Sequence, residues 1–254
     1  MTPLGLKEKA EELARAIEGA RRIGVLTGAG ISTGAGIPDF RGPKGIYRTL
    51  KVENPEAIFD IRRFNEDPSE FYRFHRGLME MMLKAEPTFT HRFLAGLEGS
   101  KKVTVITQNV DGLHQRAGSK DVIEIHGGIT HNFCSSCGKS YSIEELRQLM
   151  DLSDVPRCSC SGTIRPDIVF FGEPVKQLER CFSAASESDL MMVIGSSLNV
   201  TPAALIPSSS KGVLAVVNLG EVNTFNLHRR VDIMAEDDID RFFKRVSENL
   251  KNLA

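Results

Sequence analysis

A short apolar run that empties into glycines does most to limit what this chain can become. Residues 22–47 read RIGVLTGAGISTGAGIPDFRGPKGIY: Ile23 to Leu26 form the run, and Thr27-Gly28-Ala29-Gly30 follows. Glycine and proline then crowd out regular structure. A strand ending in glycines is how an α/β protein brings backbone N–H groups against a phosphate, which makes Gly28, Ala29 and Gly30 candidate nucleotide-binding residues. A lone Gly-x-Gly is as often an ordinary turn. The spacing here, Gly28-x-Gly30-x-x-x-Gly34, also departs from the dinucleotide fingerprint GxGxxG. Pro38 and Pro43 forbid the long helix that should follow, because proline removes a backbone donor and clashes one turn back. A helical turn at most remains, then a loop carrying Asp39, Phe40, Arg41 and Tyr47. Such polar, cationic and aromatic groups suit a lid over a ligand.

Further apolar runs lie downstream. Val103–Thr107, Val122–Ile125, Leu190–Ile194 and Val213–Val217 lack polar alternation, as buried parallel strands do, and Val231–Met234 is a shorter candidate. Helical spacing separates them. Leu6, Ala10, Leu13, Ala14 and Ile17 place an amphipathic helix over residues 4–19. Residues 52–98 read as helical, with a start at Asp67-Pro68 and an apolar stripe of Phe71, Phe74, Leu78, Met81 and Met82; a second helix runs from near Pro87 to Gly99. A last helix begins in an acidic turn, Asp237, Asp238 and Asp240, and buries Ile239, Phe242, Phe243, Val246 and Leu250. Strands alternating with helices predict an α/β fold with a doubly wound parallel sheet, whose ligands sit at the carboxyl ends of strands. Five strands end in small or polar groups: Thr27 to Gly30, Thr107-Gln108-Asn109, His126-Gly127, Gly195-Ser196-Ser197 and Asn218-Leu219-Gly220. On one sheet edge they describe a polar cleft long enough for a dinucleotide.

Charge and cysteine placement narrow the class. The 254 residues carry a formal net charge of -1, which gives no reason to expect a nucleic-acid or membrane surface. No apolar run approaches the ~20 residues of a membrane span, and the first residues lack a signal-peptide core. Four of the five cysteines fall within residues 134–160, a clustering that favours metal thiolates in a reducing compartment, with the cytoplasm as the expected location. Cys134-x-x-Cys137, followed by Gly138, and Cys158-x-Cys160 match a closed, structural four-thiolate zinc site. The second pair is tighter than the usual Cys-x-x-Cys; His131 is a substitute ligand should one cysteine not reach. Free buried thiols or a redox pair are the alternatives.

Taken together, the motifs resemble a sirtuin, an NAD-dependent protein-lysine deacylase. The matching stretches are GAGIS (28–32), GIPDFR (36–41), TQNVDGLH (107–114), IHG (125–127), the four cysteines, RPDIVFFGE (165–173), GSSLNV (195–200) and VNLG (217–220), in family order over most of the chain. The resemblance implies a large Rossmann-like domain (residues 1–37, 88–126 and 171–254), a helical insertion with a cofactor loop (38–87) and a zinc-binding module (127–170). NAD and an acylated peptide bind between them in the family, so acetylated lysine segments of other proteins are the expected partners. By motif, Ala29, Ile37, Asp39, Phe40 and Arg41 surround nicotinamide and its ribose, and Tyr47 belongs to the closing loop. Gln108, Asn109, Val110 and Asp111 contact ribose and amide; Gly195, Ser196 and Ser197 hold phosphate or ribose. Asn218, Leu219, Gly220 and Ala235 meet the adenosine side. His126 is the general base: an imidazole with a pKa near ~6.5 accepts a ribose hydroxyl proton at neutral pH. In the family's reaction the acyl oxygen attacks the ribose as nicotinamide leaves, and the acyl group passes to ADP-ribose.

Phe170-Phe171-Gly172-Glu173 and Gly220-Glu221-Val222 resemble the two segments that clamp the substrate backbone by β-augmentation, with Val169 and Phe170 as walls of an apolar acyl tunnel. Family members that remove acidic acyl groups carry Tyr and Arg three residues apart on the inserted helix. Aligned from Asp67-Pro68, those positions fall at His75 and Leu78, with Tyr72 and Arg73 nearby, and no Tyr-x-x-Arg occurs in this helix. Acetyl or longer apolar groups are therefore expected over succinyl. Three other readings compete. A hydride-transferring dehydrogenase needs the helix that Pro38 and Pro43 deny, and a zinc-ribbon nucleic-acid binder needs a basic face where Lys139 is the only Lys or Arg from residue 121 to 146. Transfer of ADP-ribose to protein shares the same activated sugar and stays open as a side activity.

Overall fold

A computed structural model describes residues 5–40, 45–46 and 55–253; Arg41, Pro43 and Tyr47 lie outside the described residues. Helix α1 (Leu6–Gly19) turns Ala10, Leu13, Ala14 and Ile17 inward and delivers the chain to β1 (Arg22–Thr27). Only Arg22 of β1 is exposed, as expected of a strand covered on both faces. The glycine-rich segment then coils into a tight 3-10 helix, Ala29–Ala35, which Gly36 ends in a left-handed conformation. Residues 37–40, which follow it, are not helical, as Pro38 requires.

A second 3-10 turn (Pro55–Phe59) leads to α2 (Ile61–Glu66), capped by the Asp60 carboxylate, then α3 (Ser69–Lys84) and α4 (Phe89–Leu97). Helix α3 starts right after Asp67-Pro68, but its buried face is rotated from the expected stripe. Phe71, Tyr72, His75, Leu78, Met79 and Met82 are buried, Phe74 is partly buried, and Met81 is 41% exposed. On a 3.6-residue turn Tyr72 and Met79 flank the 71–75–78–82 line on the side opposite Phe74 and Met81. The Tyr72 hydroxyl donates to the Ile164 carbonyl, which fixes that flank inward.

The chain continues through β2 (Lys102–Thr107), α5 (Leu113–Arg116), β3 (Val122–Glu124), β4 (Gly127–Cys134), β5 (Ser140–Tyr141), α6 (Ile143–Leu152), β6 (Ile164–Ile168) and α7 (Leu178–Ser186). It closes with β7 (Leu190–Ile194), β8 (Val213–Asn218), β9 (Ile233–Glu236) and α8 (Ile239–Leu253). Strand β9 begins two residues later than the sequence suggests. Asp232 accepts the Leu214 N–H and pairs with Arg229, so the ladder with β8 opens only at Ile233. In α8, Ile239, Phe242, Phe243 and Val246 are buried, whereas Leu250 is partly buried.

Six parallel strands form one sheet in the order β3-β2-β1-β7-β8-β9, and β4, β5 and β6 form a separate antiparallel sheet. The sheet is doubly wound: one face packs on α1, α4 and α8, the other on α7 and the Ala203–Ser209 turn. A third apolar cluster gathers Phe64, Phe71, Tyr72, Met79, Leu146, Ile164 and Phe170, joining the helices after β1 to the antiparallel sheet. Strand order reverses between β1 and β7, and a parallel sheet opens a crevice at such a point. No helix among the described residues is long and apolar enough to cross a membrane.

Candidate active site and metal centre

The crevice floor is backbone against backbone. Gly28 N–H donates to Ile194 O (3.0 Å) and Gly30 N–H to Gly195 O (2.9 Å). A Cβ on Gly28 or Gly30 would lie 2.7 Å from atoms of Gly195, and Gly195 itself has φ +66. These glycines therefore let the β1 and β7 loops touch. Their amides are directed at their own chain, which corrects the expectation that Gly28 and Gly30 point N–H groups at a phosphate. What they offer a ligand is a floor free of side chains.

His126 stands just beyond β3, on the same edge. Its position is fixed twice: its carbonyl accepts the Val169 N–H (2.8 Å), and its ring Nδ1 lies 3.0 Å from the Gln108 carbonyl. A carbonyl only accepts, so Nδ1 carries the ring proton and Nε2 keeps the basic lone pair. Burial pushes the imidazole below its ordinary pKa, with the Gln108 carbonyl working the other way. At neutral pH the ring is thus uncharged and ready to accept a proton.

Residues after β1, β2 and β7 form a hydrogen-bonded cluster on the same sheet edge. Gln108 Nε2 donates to Ser196 Oγ (2.9 Å); Asn109 Nδ2 donates to Gly28 O (3.2 Å) and Ser32 Oγ (3.1 Å). Ser32 Oγ donates to Asp111 Oδ2 (2.7 Å), and Leu113 N–H to Asp111 Oδ1 (2.9 Å). Burial raises the Asp111 pKa while these donors oppose it. Ser32 was not singled out in the sequence, although it lies inside GAGIS; its link to both Asn109 and Asp111 depends on two loops meeting.

The four cysteines converge on one point. Their sulfurs lie within 4.8 Å of one another, with Cys134 and Cys160 3.5 Å apart and Cys137 and Cys158 3.7 Å apart. Four thiolates about 2.3 Å from a tetrahedral ion stand roughly 3.8 Å apart, so the cluster fits zinc and the Cys-x-Cys pair reaches. His131 is not in the cluster. Backbone N–H groups of the turns, those of Cys137 and Cys160 foremost, lower the Cys134 and Cys158 thiols, the latter to about 5. Four protein ligands leave no open position, so the site is structural.

Comparison with known proteins agrees with this geometry. The sequence profile of the Sir2 family matches residues 28–202, more than half of the chain. The NAD-dependent protein deacetylase of Thermotoga maritima is 44% identical over 247 residues, covering 94% of this chain and 98% of the relative. The chain belongs to the Sir2 family. A solved Sir2 structure with a p53 peptide and NAD+ superposes with a TM-score of 0.85 at 42% identity, over 96% of this chain and 98% of that one. Sir2Tm bound to a propionylated peptide gives 0.84 at 41% identity, over 97% and 100%.

The other residues expected from Sir2-family motifs fall as follows. Ile37 is buried in the third apolar cluster, Phe40 packs edge-on against Phe59, and Asp39 accepts the Ile46 N–H through its carbonyl. Val110 is half-buried, its carbonyl bonded to Ile129 N–H. Ser197 accepts the Asn223 N–H, and Asn218 folds its amide onto the carbonyls of Leu219, Gly220 and Glu221. Ala235 does not present its side chain to the cleft, since it is 1% exposed and packs in the core. Phe170 is buried against Phe64 and Phe71, and Phe171 is joined to Phe59 and Ile61. The amides of Val169, Phe170, Phe171 and Glu173 all bond within the chain. Arg165, inside RPDIVFFGE, carries no local signal of its contacts. It grips Glu173 with two 2.8 Å bonds, donates to Ile168 O, and lies over the Phe170 ring.

Buried histidines make this Sir2-family fold sensitive to acid. His75 and His91 are pushed down to about 4 by burial, and His114 well below its usual value for the same reason. Unfolding frees each to bind a proton near pH ~6.5, so this destabilisation is absent above that pH and grows as pH falls toward 4. At about 1.4 kcal/mol per unit, His75 and His91 each cost roughly 3 kcal/mol by pH 4. Urea midpoints should fall steeply from pH 6.5 to 4.5, and His75→Phe should flatten part of that slope. Equal slopes in the two proteins would contradict this assignment.

Proposed function

We propose that this protein removes acetyl and other apolar acyl groups from protein lysines, consuming NAD and releasing nicotinamide, free lysine and O-acyl-ADP-ribose. The observation that carries the reading is His126, with its basic Nε2 held at the carboxyl edge of the parallel sheet whose strand order reverses between β1 and β7. The residues fit the dinucleotide: a side-chain-free floor at Gly28, Gly30 and Gly195, and the polar cluster of Gln108, Asn109, Asp111 and Ser196 along one edge. When bound, NAD supplies an activated ribose and a leaving nicotinamide. Asn109 and Asp111 orient the ribose and amide, and His126 takes a hydroxyl proton. Ser197 and Asn218–Gly220 serve the phosphate and adenosine side. Arg41 and Tyr47, outside the described residues, are assigned to the closing loop by motif alone. Relatives seen with acetylated and propionylated peptides support lysine segments of other proteins as the partner. Gly172 and Gly220–Glu221 are the segments we assign to the peptide backbone. A reducing compartment such as the cytoplasm suits the four thiols.

Mixing the protein with NAD and an acetyl-lysine peptide and weighing the products decides the chemistry. Nicotinamide with acetylated ADP-ribose supports the proposal; ADP-ribosylated protein or NADH would replace it. Acyl preference follows from the wall of the third cluster. Phe170, Phe71 and Tyr72 are buried, the Tyr72 hydroxyl is engaged by Ile164 O, and His75 is uncharged at neutral pH. None of these groups neutralises a carboxylate. Acetyl- and propionyl-lysine versions of one peptide should turn over at least about tenfold faster than the succinyl version, since burying an unpaired charge costs well over ~1.4 kcal/mol. Faster succinyl removal would refute this preference.

A further inference from the structure

Two nitrogens deep in the protein face a shared need. His91 Nε2 and His114 Nδ1 are buried and have no hydrogen-bond partner among the described residues, and their rings lie 4.6 Å apart between centroids, tilted by 57°. Their other nitrogens fix which of the two donates. The Thr88 N–H bonds to His91 Nδ1 (3.2 Å), and a backbone N–H only donates, so the ring proton of neutral His91 is on Nε2. On the other ring, Nε2 of His114 lies 3.0 Å from Thr27 Oγ1, whose hydroxyl donates to Thr107 Oγ1 (2.9 Å). In the Nε2–H tautomer His114 donates to Thr27 Oγ1, and its Nδ1 is then a bare acceptor matched to the His91 donor. One unpaired donor and one unpaired acceptor sit on adjacent rings.

The flanking contacts reach both loops of the proposed cofactor cleft. On the His91 side, Thr88 Oγ1 is 3.4 Å from the Ile31 carbonyl, next to Ser32. On the His114 side, Thr107 Oγ1 accepts the Asn109 N–H (3.1 Å), and the Asn109 amide returns to Ser32 Oγ (3.1 Å). The polar path thus forms a ring through both loops with one joint, between the two imidazoles.

We propose that His91 Nε2–H is linked to His114 Nδ1 through one shared water, and that the pair is a positioning device setting the spacing of the Ile31–Ser32 and Thr107–Asn109 loops for NAD. Neither histidine touches the reacting atoms. The positioning half rests on the cleft being an NAD site; the link between the rings does not.

Nitrogen-15 spectra of histidine-labelled protein at pH 7.5 test the link without any variant or ligand. Both rings should be neutral Nε2–H tautomers, with the His91 Nε2 proton exchanging far more slowly than that of exposed His228. An Nδ1–H tautomer at either ring, or exchange as fast as His228, would overturn it. Positioning is tested by calorimetry on His114→Phe and His114→Gln. Loss of the acceptor should weaken NAD binding about tenfold while peptide binding stays within about twofold, and Gln should recover most of the loss. Unchanged NAD affinity in His114→Phe, or Gln no better than Phe, would remove the positioning role. An unaltered protein that binds no NAD would remove that role through the cofactor reading itself, and the tautomers would still decide the link.

Discussion

His126→Ala should lower kcat for deacetylation by roughly 10²–10⁴-fold, the range expected when a positioned general base is removed. The ring contributes one hydrogen bond, to Gln108 O, while the contact with Val169 is made by the backbone and survives the substitution. Fold and zinc content should therefore be unchanged. The loss should also be selective. Release of nicotinamide asks nothing of a proton acceptor, so exchange of labelled nicotinamide into NAD should persist in the variant while acyl transfer stops. The pH profile adds a second check: burial lowers the imidazole pKa, so the acid limb of wild-type activity, where the base becomes protonated, should have its midpoint below pH ~6.5. A variant retaining full deacetylation, or losing exchange and transfer together, would mean that the proton leaves by another route.

Stripping the metal should have an effect of comparable size by a different path. Binding of structural zinc by four thiolates is worth about 10–16 kcal/mol in small zinc-binding peptides, which is folding free energy for the elements it holds. Here those elements are β4, the Cys134–Cys137 turn and the Cys158–Cys160 turn before β6. The two clusters that cover the parallel sheet contain none of these cysteines, so the sheet should outlast the module. Chelation, or Cys158→Ala, should split the single melting transition into two and abolish peptide turnover. Elemental analysis should give one zinc per chain before treatment. A chelated protein that melts like the untreated one would rule out a structural role. The damage should reach the peptide site because β6 carries Arg165, whose grip on Glu173 and stacking on Phe170 shape the Phe170–Glu173 segment.

Much of this was legible in the residues, and the reasons differ by element. Strands β1, β2, β7 and β8 are covered on both faces, so each is a continuous apolar run that needs no context to be seen. The cysteine pairs were legible because thiolate spacing has few other uses in a chain of this kind. Strands β4 and β6 were not, since GGITHNFC and IRPDI mix glycine, proline and charge and take their order from each other and from the metal turns. Helices α6 and α7 went unread for a related reason: each buries only two residues, Leu146 and Met150 or Cys181 and Ala185. The side of α3 that turns inward was decided by a tyrosine hydroxyl finding a carbonyl 92 residues away. The direction of the Gly28 and Gly30 amides was decided by β7, which local sequence does not specify. At the candidate site the residue types were visible and their hydrogen-bond partners were not.

The place where Gly28 and Gly30 meet Gly195 bears on how such an enzyme can change. Main chain rests on main chain there, with no side chain between to shrink, swivel or be exchanged. Even one methyl group would wedge the two halves of the sheet apart, so that seam is closed to gradual remodelling. Altered ligand preference has to arise at the rim, in the segments around Phe171, Leu219 and Glu221, where side chains reach water.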